Sequence, residues 1–194
     1  MKIIDLNTFI KNKEFYKKQI LQGAIFIYPT DTIYGIGCNA YDKAAVSKIQ
    51  TLKNRNEKPF SIIAPSKKWI IENFNFNNSD ESFLNKLPGK YTLILNKKNI
   101  SNFTPPVGTE SSVGVRLPKG AISEFAKYCN IPIVTTSVNI AGSPFLTNPT
   151  QILENKKFSN FKKVDFIIDR GEINNSPSTL IDLTGIEPIY ISRK

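Results

Sequence analysis

A continuous apolar run that passes straight into a turn of hydroxyls, one carboxylate and glycines constrains this chain more than any other feature. Ala24, Ile25, Phe26 and Ile27 read as a buried strand, and Tyr28-Pro29-Thr30-Asp31-Thr32-Ile33-Tyr34-Gly35-Ile36-Gly37 follows directly. In α/β proteins, small-molecule chemistry sits in the turns that leave the ends of such strands. Two further segments share this character: Lys53-x-Arg55 after a short helical pattern, and Thr135-Thr136-Ser137-Val138-Asn139-Ile140-Ala141-Gly142 after a second strand. Three hydroxyl-rich or basic segments, far apart in sequence, predict one shared anion-binding pocket.

The spacing of Phe9, Ile10, Phe15, Ile20 and Leu21 predicts a helix over 7–22, capped by Asp5 or Asn7 and stopped at Gly23. Strands are predicted at 24–28, 60–64, 91–95, 113–117, 131–135, 164–168, 179–183 and 188–191, with 33–38 extended. Helices are predicted at 44–52, from Ser66 onward, at 121–129 and at 149–153. This interleaving, with several direct strand-to-strand passages, predicts an α/β fold built on a mixed sheet. No repeat or dividing linker interrupts the chain. Residues 1–194 are therefore expected to form a single domain, long enough to bury a proper core.

The chain contains no histidine. That excludes Ser-His-Asp and Cys-His chemistry, histidine-ligated metals and an imidazole acid or base. Catalysis, if present, works through Lys, Arg, hydroxyls, carboxylates and backbone groups. Cys38 and Cys129 cannot build a zinc site and read as small core residues. No apolar run approaches the roughly 20 residues needed to span a bilayer. The opening MKIIDLNTFIKNKEF is too polar for a signal peptide, so a cytoplasmic protein with no membrane partner is expected. A net charge of +10 favours polyanionic partners such as nucleotides or RNA. The lysines are scattered, whereas the arginines are only four: Arg55, Arg116, Arg170 and Arg193. Such a chain is expected to place Arg where a planar fork is needed.

Gly35-Ile36-Gly37-Cys38-Asn39-Ala40 fits G-x-G-x-x-A, but its glycines interrupt an extended segment and no ribose-binding acid follows. A Walker pattern is absent. Lys53 and Arg55, with Lys58 nearby, end a helix, where cations suit the dipole. The immediate return to the apolar Phe60-Ser61-Ile62-Ile63 also puts them at a sheet edge where a phosphate can dock. Between residues 111 and 118, parity gives Ser112, Gly114 and Arg116 a common face. A lone Arg in such a strand either meets solvent or enters a pocket that needs an anion, and the pocket is the preferred reading. Thr135, Thr136, Ser137 and Asn139 offer more hydrogen-bonding groups than a turn requires. Ser178-Thr179 and Arg193 repeat the theme.

PTDTIYGIG, KNR followed by KPFSII, PGKYTLIL, SSVGVRLP, TTSVNIAG and STLIDLT stand in the order and spacing of the YrdC/TsaC family, the threonylcarbamoyl-AMP synthases, which the chain resembles from about residue 20 to 193. The resemblance implies a twisted mixed sheet flanked by helices, with a deep, positively lined cavity. It implies a nucleotidyltransferase that joins L-threonine, bicarbonate (or carbon dioxide) and ATP, the last with Mg2+, into threonylcarbamoyl-adenylate and pyrophosphate. A TsaD-type transferase would then pass the threonylcarbamoyl group to tRNA. By motif, Thr32, Arg116, Thr135 and Ser178 would hold threonine. Lys53, Arg55 and Lys58 would face the triphosphate, with Lys53 and Arg55 catalytic. Ser112, Ser137, Asn139 and Arg193 would surround the nucleotide, and no side chain would ligate the metal. Asp31, Ile63 and Phe145 stand where the family often has Glu, His and Ser, and the chain resembles the short, single-domain form. Two other readings compete: a non-catalytic module for double-stranded or transfer RNA, motivated by the charge, and a carbamoyl-transfer maturation factor sharing the motifs.

Overall fold

Asp5 starts the first helix. Its carboxylate accepts the Thr8 N–H at 2.9 Å, capping α1 (Leu6–Lys11). The expected single helix over 7–22 is two helices, α1 and α2 (Lys13–Leu21), broken at Asn12. Both the backbone N–H and the side-chain amide of Asn12 donate to the Thr8 carbonyl, at 3.1 and 2.8 Å. A side chain that competes for a helical carbonyl in this way interrupts the ladder. Gly23, at φ +87°, then turns the chain into the sheet. In the same manner Asp42 caps α3 (Lys43–Lys53) and Ser66 caps α4 (Lys67–Asn73).

The computed structural model describes residues 1–54, 59–76, 81–99, 103, 105–139 and 143–191. Among them, ten strands form one mixed sheet: β1 (Lys2–Asp5), β2 (Phe26–Tyr28), β3 (Gly35–Gly37), β4 (Ser61–Ile63), β5 (Tyr91–Asn96), β6 (Ser112–Arg116), β7 (Ile133–Ser137), β8 (Phe166–Asp169), β9 (Thr179–Asp182) and β10 (Ile189–Ile191). Their order is β1-β8-β2-β3-β7-β4-β6-β5-β9-β10. Strand β8 runs parallel to β1 and β2, β4 to β6, and β5 to β9; the other pairings are antiparallel. The remaining helices are α5 (Glu81–Leu84), α6 (Ala121–Cys129), α7 (Gln151–Glu154) and a 3-10 helix, Lys156–Lys163. Strand β1, α5 and the 3-10 helix were not expected. Only Ile4 of β1 is buried, so its sequence carries no apolar run to announce it. The strand expected at 131–135 begins instead at Ile133, after Pro132, which has no N–H to give to a ladder. That shift carries Thr136 and Ser137 into the sheet beside Thr135.

Alternation along the strands divides the apolar residues between two faces. Ile25, Ile27, Ile36, Ile62 and Val134 pack in a cluster with Val46, Ile49 and Leu52 of α3. Phe26, Tyr28, Ile63 and Ile133 pack in a second cluster with Phe9, Tyr16 and Ile20 of the first two helices and with Ile122 and Phe125 of α6. Along this second face the same parity continues into Ser61, Gly114, Thr135 and Ser137. Helices thus cover one part of the face, and the rest carries hydroxyls. Both cysteines are free and lie in the core; burial pushes the Cys38 thiol well above its usual range and that of Cys129 up to about 11. No helix among the described residues is long and apolar enough to cross a membrane.

At Gly37 the backbones of β3 and β7 leave no room for a side chain: a Cβ there would stand 2.0 Å from the Val134 carbonyl oxygen. Gly37→Ala is expected to destabilise the protein by about 1–3 kcal/mol, lowering the thermal midpoint by roughly 2–12 °C. An unchanged melting curve would show that β3 can move away at no cost.

Candidate functional site

The polar turn between β2 and β3 is held by its own hydroxyls. Thr30 Oγ1 donates to the Ile33 carbonyl at 2.7 Å and accepts the Thr32 and Ile33 N–H groups at 3.0 and 3.2 Å. Thr30 Oγ1 also stands 2.9 Å from Thr32 Oγ1, in a hydroxyl pair. Thr32 Oγ1 in turn accepts from Arg116 Nη2 at 3.1 Å. The same nitrogen donates to Asp31 Oδ1 at 3.0 Å, and Asp31 Oδ2 accepts the Lys119 N–H at 3.0 Å. Both sides of this ion pair are largely buried, at 8% and 12% side-chain exposure. Burial lowers the Arg116 pKa, and the Asp31 carboxylate works against that. The preferred reading of the sequence, Arg116 turned inward, describes its observed position. Its Nε–H is buried and has no hydrogen-bond partner among the described residues.

Arg116 lines a narrow inner cavity, which leaves about 20 Å³ for a water-sized occupant. Hydroxyls reach that cavity from Thr30, from Ser61 on β4, from Thr92 on β5, from Thr135 and Ser137 on β7, and from Ser178 just before β9. The sheet register explains the convergence: Ser61 pairs with Thr135, and Gly35 pairs with Ser137. Gly114 keeps the floor open, since a Cβ there would lie 2.4 Å from Ser61 Oγ. Thr92 and Ser178 share a 2.8 Å hydrogen bond across the β5–β9 edge. Ser61 and Thr92 were missed in the sequence. A lone hydroxyl in an otherwise apolar strand was the available signal, and it is a weak one. An outer cavity of about 610 Å³ adjoins at Thr30 and Asp31, with Lys119, Arg170 and Glu172 on its walls. Tyr34 fixes the loop that bears Arg170: its hydroxyl donates to the Gly171 carbonyl at 2.7 Å and accepts the Arg170 N–H at 3.0 Å. Burial pushes its pKa up to about 12.

Arg116, Thr135, Ser137 and Ser178 meet at the inner cavity, with Thr32 behind the guanidinium. Lys53 is buried at 3% exposure and reaches the loop after β7. Its ammonium donates to the Ser137 carbonyl (2.5 Å), the Asn139 carbonyl (2.9 Å) and Asn139 Oδ1 (3.3 Å). Asn139 Oδ1 also accepts from Ser137 Oγ at 2.6 Å, and its amide nitrogen donates to the Ser143 carbonyl at 2.9 Å. Ser112 sits at the opposite end of β6 from Arg116, in a 2.9 Å hydroxyl pair with Thr109. Arg55, Lys58 and Arg193 lie outside the described residues. No group of three His, Cys, Asp or Glu side chains suited to a metal ion occurs among the described residues. Chemically, one guanidinium and a set of hydroxyls suit a small ligand that carries a carboxylate and a second polar group.

A family model for Sua5, YciO and YrdC, described as telomere recombination, matches residues 18–194. A Methanocaldococcus jannaschii protein named "Putative threonylcarbamoyl-AMP synthase" is 38% identical over 188 residues, covering 94% of this chain and 86% of its own. The structure of Pyrococcus abyssi Sua5 complexed with L-threonine superposes with a TM-score of 0.79 at 29% identity, over 92% of this chain and 52% of that one. The chain therefore spans about half the length of that relative. Escherichia coli YciO superposes with a TM-score of 0.79 at 25% identity, over 94% of this chain and 90% of that one.

Replacing Lys53 by Met removes the donor that these oxygens share. The loss is expected to be about 1.5–3 kcal/mol, the scale for hydrogen bonds to a charged group, with faster amide exchange at Val138 and Asn139. Denaturant titration and hydrogen exchange read both. Unchanged stability and exchange would mean that the loop holds itself.

Proposed function

Since the chain belongs to the Sua5/YciO/YrdC family, we propose that it is a threonylcarbamoyl-AMP synthase, making threonylcarbamoyl-adenylate and pyrophosphate from L-threonine, bicarbonate or carbon dioxide, and ATP. The observation that carries this reading is the buried Arg116 guanidinium, which lines a cavity walled by hydroxyls and whose Nε–H has no hydrogen-bond partner among the described residues. A buried donor of that kind is costly unless a ligand accepts from it. The threonine complex of the Pyrococcus abyssi relative supports the choice of ligand.

In this reading the threonine carboxylate accepts from Arg116, while Thr32 and Asp31 hold the fork in position. Thr135 and Ser178 stand at the cavity to meet the substrate's hydroxyl and methyl end. Selection of a hydroxyl-bearing side chain follows from such partners, because a site built to hydrogen-bond a hydroxyl strongly rejects an analogue that lacks it. The ammonium releases one proton to become the free amine, which adds to carbon dioxide and gives up a second proton to water, leaving the N-carboxy-threonine anion. Its new carboxylate is already an anion, so it attacks the α-phosphorus in line without a general base. The bond from that phosphorus to the bridging oxygen breaks, and pyrophosphate leaves with the electron pair. A site without histidine suits this step, since the protein's main tasks are positioning and charge stabilisation. Ser137 and Asn139 would contact the nucleotide, held in place by Lys53. Arg55, Lys58 and Arg193 would supply charge toward the phosphates, and Ser112 is a further candidate contact. Magnesium would arrive on the triphosphate, with phosphate oxygens and water as its ligands. A TsaD-type transferase acting on tRNA would consume the adenylate.

Incubation with ATP, bicarbonate and L-threonine is expected to release pyrophosphate in a threonine-dependent manner; threonine-independent release, or none, contradicts the proposal. Arg116→Ala is expected to lower kcat/KM for threonine by roughly a hundredfold or more, the scale for truncating one partner of a buried charge pair. Retained activity would remove the guanidinium from the substrate site.

A further inference from the structure

The inner and outer cavities meet at Thr30 and at the Asp31–Arg116 pair. The inner space admits little more than a water molecule, so an amino acid cannot lie wholly inside it. A ligand that puts its carboxylate on Arg116 and a small side chain among the hydroxyls must leave its α-carbon and α-nitrogen at the junction. Asp31 stands there. Among the described residues its carboxylate oxygens each accept one hydrogen bond, from Arg116 Nη2 and from the Lys119 N–H, and a carboxylate oxygen has room for a second donor. Glu172, the other carboxylate on these walls, is exposed and already accepts from Asn174 Nδ2 at 2.7 Å.

Charge makes this placement selective. The Asp31 carboxylate neutralises Arg116 before any ligand arrives. A ligand that is only an anion would then place two carboxylates on one guanidinium in a largely buried site, with no added cation. A zwitterion brings its own ammonium, and that ammonium meets Asp31. We propose that Asp31 is the specificity-determining residue that makes the site accept a free α-amino acid and reject the deaminated acid of the same shape. The inference rests on the reading of Arg116 as the carboxylate site for threonine. Were Asp31 only a prop for the Arg116 fork, its loss would weaken amino acid and deaminated acid alike.

The test is calorimetric titration with L-threonine and with (R)-3-hydroxybutyrate, which keeps the carboxylate, hydroxyl and methyl and replaces the ammonium by hydrogen. The wild-type protein is expected to prefer threonine by roughly tenfold to a hundredfold, the scale of one hydrogen bond to a charged group. Asp31→Asn is expected to reduce that ratio to a few-fold, chiefly by tightening hydroxybutyrate; Asp31→Glu, which keeps the charge, should retain the preference. Equal wild-type affinities overturn the proposal, as does an undiminished ratio in a folded Asp31→Asn protein. Should that variant not fold, the wild-type ratio and the Asp31→Glu ratio still decide. Failure of the wild-type protein to bind threonine at all would instead remove the threonine-site reading on which the inference stands.

Discussion

A guanidinium placed inside a sheet has to be compensated, and the way this chain compensates Arg116 organises the rest of the site. Desolvating a cation costs several kcal/mol unless counter-charge and hydrogen bonds surround it. Here the compensation comes from the turn between β2 and β3, more than 80 residues away in sequence: the Asp31 carboxylate and the Thr32 hydroxyl both bind Nη2. The turn is therefore shaped by the cation it serves. Thr30 freezes Thr32, Thr32 and Asp31 freeze the guanidinium, and the Lys119 N–H freezes Asp31 from the far side. Among the described residues this network leaves the buried Nε–H without a partner, and such a donor is what a binding site needs.

Lys53 applies the same logic at Ser137, a residue that lines the cavity. Its charge is gathered by oxygens of the loop after β7, so a helix on one face of the sheet fixes Ser137 and Asn139 on another element. Two buried cations thus tie the β2–β3 turn to β6 and the end of α3 to the loop after β7. Close approach at β6 also shapes the cavity, since Gly114 allows Ser61 and Thr92 to converge there.

Much of this was legible in the sequence because the controlling patterns are local. The apolar run before Tyr28, the caps at Asp42 and Ser66, and the alternation of Ser112, Gly114 and Arg116 each follow from spacing of a few residues. The parity argument placed Gly114 and Arg116 on the cavity face, yet it could not say that Ser112 lies too far along the strand to join them. The contacts of Lys53 were not legible: at a helix end it reads equally as a dipole partner or a phosphate ligand, and its oxygens lie 84 and 86 positions onward. Thr92 and Ser178 face the same difficulty, because only the parallel pairing of β5 with β9 brings them together. The helix break at Asn12 turned on a side chain outcompeting a backbone ladder, a close balance that periodicity does not weigh.

The central claim is that Arg116 Nε–H waits for the carboxylate of an amino acid. With four arginines in the chain, the 15N–1H signals of their Nε groups can be assigned by substitution and followed one by one. Titration with L-threonine is expected to move the Arg116 Nε–H resonance downfield and slow its exchange with water, leaving that of Arg170 in place. An Arg116 signal that stays fixed while threonine binds would contradict the account.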